Sequence, residues 1–277
     1  MSIGTSTFTA LAAAILATLG WWVCGRLAAP AWAVWEAAHP GPVATGLALA
    51  GVYVLLIPRP SDAKGARRVR IVPRWLGVLL MVPMLSAGRE PVEEGEMRVT
   101  ALDVGQGAAV LVETRRHVLL YDTGPSYVSG ASAGGQVIVP YLRATGVRHL
   151  DMLMVSHEHD DHAGGVEAVL QAVPVARGLT AEGPGNKPLP GLPQGRAWQP
   201  CLDGVAWRWD GVDFEVLHPT EEGLARQRLS ANARSCVLRV ATAQRSLLLT
   251  GDIGVSEERR LIDSELGERL RADFLLV

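Results

Sequence analysis

The stretch "VSHEHDDHAGG", residues 155–165, places three of the chain's seven histidines and three acidic residues in six consecutive positions. His157, His159, Asp161 and His162 stand in the order H-x-H-x-D-H, a spacing that a chain of this composition and length produces by chance roughly once in several thousand sequences. The preceding "LDMLMVS", 150–156, reads as a buried strand, and "GGVEAVLQAV", 164–173, carries apolar residues at helical spacing. The histidines therefore sit on a short loop between strand end and helix start. On such a loop His157 and His159, two apart, can grip one ion while Asp161 and His162 turn toward a neighbouring one. Imidazole and carboxylate are the ligands expected of zinc, manganese or iron at sites that keep a position open. Gly164 and Gly165 let the backbone pass close by without a side-chain clash.

Working outward, residues 97–277 carry the pattern of an α/β domain. "MRVTALDV", "AAVLVET" and "HVLLYDT" read as three strands, the last two joined by a turn at "TRRH". "GGQVIVPYLRATG" reads as a helix ending at Gly146. Residues 180–197 are rich in proline and glycine and read as an irregular loop bordering the site. "GVAWRWDGVDFEVLHP" reads as a hairpin turning at Asp210-Gly211, "CVLRVAT" with "RSLLLTGD" as a second strand pair, "VSEERRLIDSEL" as an amphipathic helix, and "ADFLLV" as a further strand. Periodicity alone gives α/β and no more.

H-x-H-x-D-H after a buried strand resembles the metallo-β-lactamase-fold hydrolases. "LDVGQGAAVLV" (102–112), "LLYDTG" (119–124), "NARSCVL" (232–238) and "LLLTGDI" (247–253) narrow the likeness to the hydrolase domain of the ComEC family, inner-membrane DNA channels of natural transformation. The resemblance implies a metallo-β-lactamase αββα sandwich preceded by transmembrane helices. It also implies two divalent ions, Zn or Mn, held by His157, His159, Asp161, His162 and Asp252. Asp252 would bridge the ions and Asp161 would help orient the attacking hydroxide. Asp103, Asp122, Gly124, Asn232 and Ser235 would support the site, Asp122 by fastening the metal loop through hydrogen bonds. Ala108 stands where many members have an acidic residue, and Asn232 and Ser235 stand where the wider superfamily has a third histidine block. In the family the strand resembling "ADFLLV" leads into a further histidine motif, so the resemblance implies a domain incomplete at its C-terminus and a longer parent protein. The implied reaction is phosphodiester hydrolysis, a nuclease degrading the strand that is not imported. DNA, single- or double-stranded, membrane lipid and other competence proteins would be the partners.

The apolar excess, 48% hydrophobic residues overall, lies at the front. "FTALAAAILATLGWWVCG" (8–25) carries no charge over 18 residues, enough for a span, and no basic residue precedes it as a signal peptide would require. "VATGLALAGVYVLLI" (43–57) and "WLGVLLMVPMLSA" (75–87) are 15 and 13 residues, short against a hydrocarbon core of about 30 Å. Residues 1–90 thus read as a membrane region of two to three transmembrane helices. The loop 58–74 holds Arg59, Lys64, Arg67, Arg68, Arg70 and Arg74 against Asp62. Basic loops stay in the cytoplasm. If 75–87 crosses, the hydrolase domain lies on the extracytoplasmic side; if it only lies in the interface, the sides are reversed. Trp21, Trp22, Trp32, Trp35 and Trp75 fall near span ends, where such rings are favoured.

Electrostatics do not choose the substrate, since residues 97–277 carry 18 Lys and Arg against 22 Asp and Glu. Two other readings stand beside the nuclease: a membrane-tethered hydrolase of a lactone, thioester or lipid phosphodiester, and a non-catalytic structural gate. His39, His117, His149 and His218 read as ordinary loop or turn histidines. Cys24, Cys201 and Cys236 show neither metal spacing nor a disulfide framework.

Overall fold

The computed structural model describes residues 3–28, 38–57, 72–86, 88–181, 189–192, 197–222, 230–264 and 266–277. Most of the basic loop 58–74, most of the loop 180–197, and Trp32 and Trp35 lie outside the described residues. Backbone contacts divide the chain into residues 1–37 and 38–277. The first unit holds helix α1 (Ile3–Ala28), whose side chains at 13–27 are exposed and whose Arg26 guanidinium sits 5.2 Å from the Trp22 ring centre.

The second unit begins with α2 (Pro42–Leu56) and α3 (Arg74–Leu85). They meet where both lack a side chain: a Cβ on Gly51 would lie 2.5 Å from the Gly77 carbonyl oxygen, and one on Gly77 would lie 2.7 Å from that of Gly51. Backbones this close are the habit of small-residue helix contacts. Val43, Leu49, Tyr53, Leu56, Trp75 and Val78 are all more than half exposed on the outside of the pair. Among the described residues no helix is long and apolar enough to cross a membrane.

Two sheets follow. The first runs in the order β1 (Arg98–Ala101), β2 (Val110–Glu113), β3 (Val118–Tyr121), β4 (Leu150–Val155), β5 (Val175–Thr180), β6 (Gln199–Pro200), antiparallel through β3 and parallel thereafter. The crossover from β3 to β4 is a π turn at Gly134–Ile138 continued by α4 (Val139–Thr145), which stops at left-handed Gly146. The crossover from β4 to β5 is α5 (Asp160–Ala163) and α6 (Val166–Ala172). In the second sheet β7 (Ala206–Trp209), β8 (Val212–His218), β9 (Val237–Ala241) and β10 (Ser246–Leu249) form an antiparallel meander. After α7 (Val255–Asp263), β11 (Phe274–Leu276) joins β10 in parallel.

Alternation along the strands builds the layers. In β4, Leu153 and Val155 face Ile138, Leu142 and Val166 of the helical crossovers, while Met152 and Met154 face Phe214, Leu238 and Leu249 of the other sheet. A strand covered on both faces has to read as a continuous apolar run, and "LDMLMV" does. Leu217, Val237 and Leu248 turn outward onto Leu261 of α7. Helices, sheet, sheet and helix therefore stack in four layers, the α/β sandwich expected.

The cysteines correct the sequence reading. Cys201 follows β6, Cys236 precedes β9, and the two are joined as a fully buried disulfide across the sheets. A separation of 35 residues carries no local signal of that meeting.

Candidate metal centre

The chain direction brings three strand ends to one rim. After β3, Asp122 (φ 60°) and Gly124 (φ 64°) both take left-handed backbone. Aspartate tolerates this conformation, and at Gly124 a Cβ would press on Ala133 and Val104. The resulting turn clasps the histidine loop: the Thr123 N–H and hydroxyl donate to the His162 carbonyl at 2.7 and 2.9 Å, and the Gly165 N–H donates to Gly124. The buried Asp122 carboxylate accepts the Ser156 N–H at 2.6 Å and its hydroxyl at 2.8 Å, and pairs with His162 Nδ1 at 2.8 Å. Asp122 thus fastens the loop through hydrogen bonds. A Cβ on Gly107 would strike the Asp161 carbonyl, so the β1–β2 loop also closes onto the motif because residue 107 has none.

The ring nitrogens are ordered by this network. The Ser156 hydroxyl hydrogen is spent on Asp122, so its oxygen, 3.0 Å from His157 Nδ1, acts as acceptor. His157 is therefore the Nδ1–H tautomer, with Ser235 Oγ a second neighbour at 3.2 Å. Its Nε2 is buried and has no hydrogen-bond partner. His162 Nε2 points at Asp252 Oδ1, 3.2 Å away. Gly251 lets Asp252 approach, since a Cβ there would already sit 3.0 Å from the Cβ atoms of Ser156 and Ser235, and the Asp252 N–H donates to Ser235 Oγ at 3.3 Å.

One ligand atom each from His157, His162 and Asp252 lie within 4.8 Å of one another. Two imidazoles tied at Nδ1, a buried Nε2 without a partner and a half-exposed carboxylate are a donor set that fits a divalent cation. Burial, and then the neighbouring His162, His159 and Arg234, hold the His157 pKa down at about 3, keeping the ring a neutral donor. Burial also lowers that of His162, but the hydrogen bond and charge of Asp122, with Asp252 and Asp161, carry it up to about 9.

The remaining expected residues stand around this core. His159 meets His157 edge to face at 4.7 Å between ring centres, and the Asp161 carboxylate is 4.0 Å from His162 Nε2. Both border the three-residue cluster without joining it. Asp103 accepts the Gly105 N–H and lines, with Asp160 and Asp161, an open cleft of about 590 Å³. Asn232 opens a single 3-10 turn, its Oδ1 buried and without a partner. A smaller cavity of about 110 Å³ lies beside His162 and Asp252. His218, at the end of β8, bonds the Ser235 carbonyl through Nδ1 at 2.9 Å and stands outside the cluster.

Three contacts escaped the sequence reading. Ser156 joins Asp122 to both histidines. The Arg234 guanidinium donates to Glu158 at 2.9 Å, tying the 230–236 strap to the histidine loop, and the Tyr121 hydroxyl donates to the Cys236 carbonyl at 2.6 Å. Glu158, the intervening acidic residue of H-E-H, was the available signal for the second; the others have none.

The family model of the metallo-beta-lactamase superfamily matches residues 102–273, and the chain belongs to that superfamily. Competence protein ComA of Neisseria gonorrhoeae is 39% identical over 217 residues, 75% of this chain and 28% of that protein. Recombination protein 2 of Haemophilus influenzae is 32% identical over 193 residues, 69% of this chain and 23% of that protein. A hydroxyacylglutathione hydrolase of Aeromonas salmonicida is 36% identical over 69 residues, 25% of this chain and 24% of that one. Together with the superfamily match, the competence and recombination proteins support a ComEC-family C-terminal domain. The chain spans about a quarter of the length of these curated relatives.

Proposed function

We propose that this chain is the metal-dependent hydrolase part of an inner-membrane DNA-uptake protein and cleaves phosphodiesters of the strand that is not imported. The observation that carries the reading is the convergence of His157 and His162 with Asp252, from two separate blocks of sequence, within 4.8 Å. The competence and recombination proteins among its relatives support DNA as the substrate.

His157, His162 and Asp252 would hold divalent ions, Zn or Mn, with His159 and Asp161 as further ligands beside them. Bound there, such ions supply Lewis-acid polarisation of a phosphate and lower the pKa of water toward 7. The chain's own contribution is orientation. Asp122 and Ser156 fix both ring tautomers, Ser235 sets the distance between His157 and Asp252, and Asp161, on the open side, would help orient the attacking hydroxide. The half-exposed Asp252 faces the rim, where an extended strand can lie without entering a closed cavity. Asn232 and Ser235 stand as supporting groups of the strap.

Residues 1–90 are read as the membrane region, with the basic segment on the cytoplasmic side and the hydrolase domain outside. The Cys201–Cys236 disulfide supports that placement, because such bonds persist in oxidising compartments. The likeness to a hydroxyacylglutathione hydrolase favours a second reading, a tethered hydrolase of a small molecule.

The protein incubated with Mn²⁺ and end-labelled DNA is expected to shorten the label, and the His157→Ala variant to lose this activity. Turnover of a lactone or thioester with DNA left intact would transfer the assignment to the second reading. Full metal occupancy without turnover of any of these would overturn both.

A further inference from the structure

The α2–α3 pair stands on the hydrolase domain by both ends, and both ends stand at the same place. Ahead of α2, Ala38 is buried against Gly146, and the His39 N–H donates to the Ala144 carbonyl at 2.8 Å. Behind α3, the Arg89 backbone touches the same Gly146, its Nε pairs with buried Glu113 at 2.7 Å, and its Nη2 donates to the Thr114 carbonyl at 3.0 Å. Further along, the Gly95 N–H donates to the Asp210 carbonyl at 2.8 Å. Between these feet the flanks of the helices are exposed and apolar.

Glu113, Thr114 and Gly146 all lie at one end of the first sheet. β2 finishes at Glu113, β3 starts after Thr114, and β4 starts four residues after Gly146. The metal cluster lies at the other end, where β3 delivers Asp122 and β4 delivers His157. The six residues of β4 set these ends about 20 Å apart.

We infer that the hairpin seats the domain on the bilayer by the Arg89–Glu113–Gly146 end, so that the metal cluster faces away from lipid and takes its phosphodiester from water, not from membrane phospholipid. This rests on the reading of residues 1–90 as a membrane region. The apolar flanks and the glycine contact suit hydrocarbon. Because both feet share one end of the domain, α2 and α3 enter the bilayer together or not at all. A water-borne polymer can reach the rim; a headgroup in the host leaflet cannot.

The test uses the protein reconstituted in phosphatidylethanolamine–phosphatidylglycerol vesicles carrying a headgroup energy-transfer acceptor. In a Cys24→Ser background, one donor dye is placed at Arg115→Cys, in the turn at the foot, and in a second protein at Gln106→Cys, at the rim. The foot dye is expected to be quenched several-fold more strongly than the rim dye. In the same vesicles, the protein should hydrolyse bis(p-nitrophenyl) phosphate in solution and release no headgroup from host phospholipid. Equal quenching, stronger quenching at the rim, or no quenching of either dye overturns the orientation. So does headgroup release that an Asp252→Ala variant abolishes. The dye readout needs no turnover, so a protein quenched as expected but inert toward DNA and phosphate diesters fails the hydrolase reading alone.

Discussion

Ser235 illustrates what a single side chain settles here. Fully buried, it lies 3.2 Å from His157 Nδ1 and accepts the Asp252 N–H, so one hydroxyl spaces the His157 ring from the Asp252 residue. Removing such an outer partner costs about 10- to 100-fold in metal affinity. Ser235→Ala is accordingly expected to weaken Mn²⁺ or Zn²⁺ binding by that factor in a chelator competition titration while the far-ultraviolet dichroism stays unchanged; unchanged affinity would remove Ser235 from the site. Asp122→Asn should weaken binding more, because Asp122 orients His162 directly and His157 through Ser156. At this scale the sequence was most informative. H-x-H-x-D-H announces itself as chemistry, since chance spacing of such groups is rare, whereas the aspartate ending "LLLTGD" stands out only through the family resemblance. Ser156 does not, because a serine at a strand end looks the same whether it orients two imidazoles or faces water.

Between elements, the fold is fastened at two points remote from the metal rim or behind it. Asp210, in the β7–β8 turn, accepts from Thr114 Oγ1 at 2.7 Å and from the Arg116 N–H and Nε at 2.8 and 2.9 Å, and meets His117 Nδ1 at 2.9 Å. His117 stacks on Trp209 with ring centres 4.9 Å apart. One carboxylate thus joins the hairpin turns of the two sheets. Burial pushes the Asp210 pKa up, but the His117, Thr114 and Arg116 bonds outweigh it and hold the carboxyl below its ordinary 3.8. A depressed folded-state pKa stabilises above the unfolded value, so this contribution is complete above about pH 4 and is lost as pH falls through the folded-state value. Asp210→Ala should cost about 2 kcal/mol at neutral pH and flatten the acid limb of stability, as read from urea unfolding between pH 7 and 3. An unaltered acid limb would refute the assignment. Breaking Cys201–Cys236 should cost about 3–4 kcal/mol for its 35-residue separation, so a reductant should lower the Tm of the native protein and leave that of a Cys201→Ala/Cys236→Ala variant unmoved. Neither fastening was legible beforehand. The strands and turns were, because alternation and Asp-Gly pairs are local; Asp210 with His117, and Cys201 with Cys236, are meetings made by sheet stacking and leave no period in the chain.

For the whole molecule, the order of the strands carries the account: β3, β4 and β10 all deliver their C-terminal ends to one rim, and β2 with the feet of the α2–α3 pair occupies the other. The four layers followed from the resemblance, periodicity giving only α/β, whereas the seating of α2 and α3 by both ends rests on Arg89, Glu113 and Gly146, which no pattern links. His157, His162 and Asp252 are proposed to surround a divalent cation. Anomalous X-ray scattering from crystals of the protein grown with Mn²⁺ tests it most directly. A peak is expected within about 2.3 Å of His157 Nε2, His162 Nε2 and an Asp252 carboxylate oxygen, with a second peak about 3.5–4 Å away toward His159 and Asp161. Manganese bound elsewhere, with His157 Nε2 still lacking any partner, would contradict it.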